Sequence, residues 1–560
     1  MNTQLYQPLQ GSDLLLMAPE LTLVIAVIVM SIVDLLLPRS INRSWIGGMS
    51  LIAVLVSLGT VIWTLVDRYQ DAIAGHKVGV IELLGGSYRI DDFGLLIKVV
   101  LLIGTALVIL ISIGHIRESD IQHRGEYYYL LLPAVLGGLV LVSSADLITL
   151  FVGLELLSIS SYLLVAIRKR DRRSTEGAYK YIVLGSTASA FILYGMSFLY
   201  GMTGATHLGQ IAEALAQNAD QFLPLLYLSM LLLLVGFGFK IAAAPFHAWS
   251  PDVYEGAPTP IAAFLSVVSK GAVLALLFRL VFHILFGFQY ADGLGYLSSA
   301  GAFINEDVSL ILLSIAALSM IVGTTMALRQ VKVKRLLALS GVANAGYLLV
   351  PLGLNIFQPT AWYSSNFSTF WYYLIAYAFT TIGAFAVLAM VCRGTEHEEL
   401  KSFAGLYYRA PWLAVAMTIF VLSLAGIPIT AGFFGKLYIL LGAVATHALW
   451  LAIIMMVTSV ISFYVYFGFI RHMFMRDCES VSHLQTAQPQ SFELESEVGL
   501  ESPKGHVGPV SFKRIHVSVA SGAVVACSAA AVIILAIFPN ELMTWVNTLL
   551  SLANDIYAAS

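Results

Sequence analysis

Charge is what this sequence has least of. Only 11% of its 560 residues are Asp, Glu, Lys or Arg, whereas soluble domains carry roughly 25%. With 59% hydrophobic residues, that scarcity excludes a soluble globule and makes the chain a polytopic membrane protein. A net charge of −3 leaves no basic footprint for a nucleic-acid partner. Cysteine is almost as scarce. Cys392, Cys478 and Cys527 stand far apart, with no CxxC and no metal-ligand spacing. No iron–sulfur, haem or flavin motif is visible, so redox chemistry, where it matters, belongs to another chain. The first twenty residues also lack the basic region and small-residue cleavage site of a secretory leader. The first apolar segment therefore reads as a retained transmembrane helix.

What is present in abundance is apolar runs of bilayer-spanning length, about 20 residues each. They fall at 14–37, 45–66, 93–115, 127–144, 147–167, 178–201, 223–246, 259–287, 308–328, 333–356, 367–392, 410–445, 449–470 and 516–538. The expected fold is all-α, with about 14 transmembrane helices. The 410–445 window is too long for one span and breaks at Ala425-Gly426-Ile427-Pro428, so it reads as one discontinuous helix. Span 7 is interrupted after Lys240 and span 12 before Lys436. Interruptions at corresponding places mark repeated halves in transporters. An odd offset of five spans makes the two repeats inverted. The expected domains are helices 1–3 (1–126), a first five-helix repeat (127–287) and a second (308–471). A flexible cytoplasmic loop (472–515) and a last helix with a short amphipathic tail (516–560) follow.

Lysine and arginine set the orientation. Arg39 and Arg43, the run Arg168 to Arg173, Arg329 to Arg335, Arg393 to Arg409 and Arg471 to Arg514 share one side. The opposite loops at 202–222, 288–307 and 357–366 contain neither residue. Only 67–92, with Arg68, Lys77 and Arg89, breaks the bias. The basic side is expected to be cytoplasmic and both termini outside.

Four ionisable residues stand well inside spans: Glu155, Lys240, Lys270 and Lys436. A lysine at the centre of a lipid-facing helix costs about 2.5–3.5 kcal/mol on insertion scales, so each needs a protein- or water-lined interior. Burial favours neutral lysine and a nearby carboxylate favours the charged form, which makes a lysine with a movable counter-charge a switchable proton site. Glu155 is the natural counter-charge of Lys240. His247, beside Pro245, reads equally as a proton carrier or a satisfied polar residue at a helix break. Lys180 is expected to snorkel toward the basic loop. Glu20 and Asp34 are expected at the interface.

The motifs LFVGLELLSISSYLLVA (150–166), EGAYKYIVLGSTASAFILYG, FKIAAAPFHAWSPDVYEGAPTPIAAFLSVVSKG and LAGIPITAGFFGKLYIL cover spans 4 to 13 in order. Together they resemble the antiporter-like membrane subunits of bacterial respiratory complex I, the proton-translocating NADH:quinone oxidoreductase. Lys436 in the broken span and VYEGAPTP make the resemblance N-type rather than M- or L-type. The resemblance implies a proton relay in which Glu155 and Lys240 pair, Lys270 is central and Lys436 serves a second half-channel. His247 and Lys180 match polar positions of lesser weight. It implies no cofactor in this chain, with NADH, FMN, iron–sulfur clusters and quinone held by neighbours. The implied partners are M-, L-, K-, J-, A- and H-type membrane subunits in a bacterial cell membrane. Two other readings stay open: a subunit of a multisubunit Na⁺/H⁺ antiporter, and a structural membrane scaffold.

Overall fold

The computed structural model describes residues 11–38, 43–74, 76, 78–116, 121, 124–290, 299–357, 359–393, 398–475, 515 and 517–553. Most of the 472–515 loop thus lies outside the described residues. The chain is a helical bundle. Its helices are α1 (Ala18–Leu36), α2 (Ser44–Ile73), α3 (Asp92–His115), α4 (Arg124–Val142), α5 (Leu147–Val165), α6 (Arg172–Thr203) and α7 (Leu208–Lys240). Next, α8 opens with Thr259–Phe264, passes through the π-helical turn Leu265–Ser269 and continues as Lys270–Tyr290. Then come α9 (Ser299–Ala327), α10 (Val333–Phe357), α11 (Pro359–Val391), α12a (Pro411–Ala425), α12b (Ala431–Ala445), α13 (Leu449–Met475), α14 (Val519–Ile537) and α15 (Pro539–Ala553). A small antiparallel hairpin, β1 (Ile81–Leu83) with β2 (Tyr88–Ile90), precedes α3.

Thirteen described helices are long and apolar enough to cross a membrane, and α12a with α12b are the two shorter apolar pieces. The broken span is therefore where the sequence placed it. Three local signals shape the ends. Asp146 accepts from Ile148 N at 2.8 Å and caps α5. Gly426 closes α12a with a φ of +81°, a conformation glycine adopts without penalty. Pro224 follows a non-helical Phe222, which kinks α7 where a backbone donor is missing. The 202–222 stretch, read as a loop, is helical from Leu208 onward, because α7 extends beyond its apolar part.

Helices α8, α10 and α11 form the interior, whereas α1, α2, α13 and α14 turn apolar faces outward. Close backbone approach holds neighbouring spans together. A Cβ at Gly137 of α4 would lie 2.5 Å from Leu157 N of α5, and one at Gly323 of α9 would lie 2.5 Å from Ala343 N of α10. Small residues at such contacts are how helices associate where no hydrophobic force separates helix from lipid. The amphipathic α15 buries Val546, Leu549 and Leu550 against the bundle, and Ser368 Oγ of α11 donates to its Asn547 Oδ1 at 2.5 Å.

Two expectations change. Glu20 is not interfacial but buried, with its Oε1 2.7 Å from Lys98 Nζ. Lys98 itself, inside α3, donates to Tyr88 OH at 2.9 Å. The positive 67–92 segment is also explained. Arg68 Nε donates to Asp92 at 2.7 Å and Arg89 Nε to Asp91 at 2.9 Å, all four buried. Charges neutralised inside the protein do not count in a topology bias.

Candidate functional site

The site is best built from the breaks. After Lys240 the helix α7 stops, and residues 241–249 lead into a short helix, Ser250–Gly256. Trp249 Nε1 donates to Phe239 O at 3.0 Å, so the turn folds back on the helix end. Trp249 stacks on Tyr181, with ring centroids 4.7 Å apart, and Tyr181 meets Tyr162 edge-on at 4.7 Å. This aromatic wall presents Lys240 to α5. Lys240 Nζ donates to Ser158 Oγ at 2.7 Å and to Tyr162 OH at 3.4 Å. Glu155 Oε1 lies 4.0 Å away, at the limit of an ion pair, and also accepts from Ser189 Oγ. The expected pair thus exists with a serine wedged beside it.

Lys270 begins the helix just after the π turn of α8. It is buried, and its Nζ donates to Gly341 O of α10 at 2.8 Å. Gly341 is closely faced: a Cβ there would lie 3.1 Å from Tyr377 OH and 3.2 Å from Lys270 Nζ, and both side-chain ends would have to shift by a few tenths of an ångström. A polar ladder continues along α10. Ser340 Oγ and Tyr466 OH share a hydrogen bond, and Asn344 Nδ2 donates to Ser340 Oγ at 3.3 Å. Tyr373 OH then donates to Asn344 Oδ1 at 2.7 Å.

Lys436 lies in the first turns of α12b and reaches back across the break. Its Nζ donates to Leu424 O at 2.7 Å and approaches Ala425 O at 3.4 Å, the last carbonyls of α12a. A cation is favoured at a helix C-terminus by the unpaired carbonyls and the macrodipole. The same ammonium stands 4.7 Å from the centroid of the Tyr347 ring, a cation–π distance.

The two lower-weight residues fare differently. Lys180 is paired, not snorkelling alone: its Nζ lies 2.7 Å from both Asp252 and Glu176. Asp252 and Glu255 in turn hold Arg335 at 2.7 and 3.0 Å, and Lys332 lies 2.5 Å from Glu255. This surface network ties α6, the short helix and α10 together at the basic-loop end. His247 Nε2 lies 3.4 Å from Met326 Sδ. The hydrogen bonds of Lys240 do not include it.

Sequence reasoning missed Tyr162, Ser340, Asn344, Tyr373, Tyr377 and Tyr466. Each is an ordinary span residue by itself and becomes polar lining only because a distant helix faces it. Of the hydroxyls near these lysines in the sequence, Ser161 and Ser266 bond back to their own helices and Thr430 to the nearby loop carbonyl of Ile427, while Ser158 Oγ accepts from Lys240. Among the described residues no three His, Cys, Asp or Glu side chains gather as a metal site.

The arrangement offers protonatable groups held in protein rather than lipid, linked by hydroxyls and carbonyls. Comparison with known proteins agrees in kind. A family described as NADH:quinone oxidoreductase/Mrp antiporter, TM, matches residues 144–462. The chain is similar to NADH-quinone oxidoreductase subunit N of Paenibacillus sp. (strain JDR-2), 46% identical over 557 residues, with 99% of both chains covered. The like-named protein of Brevibacillus brevis is 50% identical over 451 residues, covering 80% of this chain and 84% of that one. A chain of the Thermus thermophilus respiratory complex I solved with bound aureothin matches at a TM-score of 0.69 and 28% identity. It covers 94% of this chain and 98% of that chain. The chain therefore belongs to the subunit N family of NADH-quinone oxidoreductases, antiporter-like transmembrane proteins homologous to subunits of respiratory complex I.

Proposed function

We propose that the chain translocates protons as the N-type membrane subunit of an NADH:quinone oxidoreductase, through a relay of Glu155, Lys240, Lys270 and Lys436. The observation that carries this reading is the placement of three buried lysines at irregular helix positions. Lys240 ends α7 before its break, Lys270 follows the π turn and Lys436 spans the α12 break. Irregular backbone at membrane depth is tolerated where it lines a protein or water cavity. The Gly137–α5 and Gly323–α10 contacts, five spans apart, support two inverted repeats in 127–287 and 308–471. Lys180 belongs to the charged network at the basic end and His247 to the turn behind Lys240, so both act as accessory groups.

Energy for translocation comes from other subunits. NADH, FMN, iron–sulfur clusters and quinone belong to those chains, and the membrane neighbours are M-, L-, K-, J-, A- and H-type subunits. The protein is a multi-pass protein of the bacterial cell membrane, with both termini outside. The deciding experiment is Lys270→Ala in membranes where complex assembly is verified. Proton pumping driven by NADH is expected to be lost. Undiminished pumping by the assembled variant overturns the relay.

A further inference from the structure

We propose that the buried Asp91–Arg279 pair is a positioning device that sets the rotation of α8, and with it the contact of Lys270 with Gly341. The proposal rests on the relay reading of Lys270. Arg279 Nη1 and Nη2 donate to the two carboxylate oxygens of Asp91, both at 2.7 Å. A paired fork of this kind fixes direction as well as distance. Asp91 is itself immobilised. It caps α3 by accepting from Gly94 N at 2.8 Å, and it accepts from Arg89 Nε at 2.9 Å. The Arg279 guanidinium also stands 5.0 Å from the Phe93 centroid. Beside it, Arg68 Nε lies 2.7 Å from Asp92 Oδ1.

Lys270 and Arg279 share one uninterrupted stretch of α8, nine residues apart. That is about two and a half turns, so the two side chains leave opposite faces of the helix. Arg279 is tied to the start of α3, while Lys270 reaches α10. The π turn Leu265–Ser269 lies directly before Lys270, so the regular hydrogen-bond ladder of α8 is interrupted there. The rotation of the Lys270 half is therefore set from its other end, by Arg279. A rotation of about 20° would carry a group at the helix surface about 2 Å, given a helix diameter of 10–12 Å. A hydrogen bond of 2.8 Å to a backbone carbonyl does not survive that movement.

The test uses Arg279→Lys, which keeps the charge but not the fork, and Asp91→Asn, each in the intact complex. Pumping per assembled complex and its pH profile are measured beside NADH-driven quinone reduction. Both variants are expected to lower pumping severalfold per assembled complex and to displace its pH profile, because the ammonium of Lys270 changes surroundings. A purely structural pair would lower the amount of complex and leave pumping per complex and its pH profile at wild type, which overturns the proposal. If Asp91→Asn does not assemble, Arg279→Lys decides by the same two readouts. Lys270→Ala with full pumping would instead remove the relay reading itself, so the two failures are distinguishable.

Discussion

At the scale of single residues, the Glu155–Lys240 contact is the one most open to tuning. The ammonium donates its short hydrogen bond to Ser158 and stands 4.0 Å from Glu155. Rotation of the Glu155 side chain makes or breaks the ion pair, while Ser158, one turn along the same helix, keeps the lysine satisfied. Removing one member of a fully buried pair costs about 3–5 kcal/mol. Glu155 is partly exposed, so the loss in stability should fall below that range and the larger effect should be on transport. Glu155→Gln deletes the charge at constant shape and is expected to stop pumping in assembled complex. Glu155→Asp shortens the reach and should leave part of it. Full pumping by Glu155→Gln would make the pair structural. This pair was legible in the sequence because both residues stand deep inside long apolar runs. Glu20, Lys98 and Arg279 were not, since each lies nearer a span end, where a charge looks interfacial. Their partners come from remote positions: Lys98 from α3 to Glu20 of α1, Arg279 from α8 to Asp91.

At the scale of elements, the breaks in α7 and α12 were readable because glycine and proline punctuate an apolar run in a way no continuous helix tolerates. The π turn was not, since LSVVS carries no such mark and its geometry is imposed by packing. Gly426 shows what a break requires. Its φ of +81° belongs to the left-handed region, and an added Cβ would lie 2.9 Å from Lys436 Cδ. Gly426→Ala is expected to cost about 1–2 kcal/mol in backbone strain and to displace Lys436 from the α12a carbonyls. Lowered thermal stability and reduced pumping should appear together. Gly468→Ala, where a Cβ meets nothing within 4 Å, should leave both unchanged and serves as the control. The charged network on the short helix Ser250–Gly256 gives a pH dependence. Burial pushes the Asp252 and Glu255 carboxyls up, but Lys180 and Arg335 on the first, and Lys332 and Arg335 on the second, outweigh it and hold both below their ordinary values. Folded-state values below the unfolded ones mean stabilisation that is complete above the ordinary carboxylate range, about pH 4–4.5, and lost as pH falls from that range down through the lowered folded values. Thermal unfolding of the complex should drop on acidification through that range. Asp252→Asn with Glu255→Gln should flatten the drop, and an unchanged acid limb would show that the network does not anchor the helix.

At the scale of the whole molecule, charge distribution gives the expected orientation and packing shows which helix ends lie together. Excess lysine and arginine in short loops marks the cytoplasmic side, because moving them across the membrane is unfavourable. The structure removes two of the three charges in the single exception: Arg68 and Arg89 are buried and neutralised by Asp92 and Asp91, so they say nothing about sidedness, and Lys77 lies outside the described residues. What remains is consistent. The 168–173 run, Lys332 and Arg335 around the start of α10, and Arg471 near the end of α13 belong to the expected basic side, while Leu208–Phe222 carries no lysine or arginine; Lys334, buried against Glu398, drops out as Arg68 and Arg89 do. Lys332, Arg335 and Lys180 are joined through Asp252 and Glu255, which places the α6 start and the α10 start at the same end of the bundle. Both are preceded by basic loops, so the two loops share one end of the bundle, as the expected topology requires. We therefore expect a reporter fused at residue 490 to be active only in the cytoplasm, and one inserted near Gly204, at the opposite end of α6, to be active only outside. Cysteine labelling at the same positions with a membrane-impermeant reagent should give the complementary pattern. A reporter at 490 that is active outside would reverse the orientation of the entire bundle, and with it the side from which the proposed relay loads Lys240.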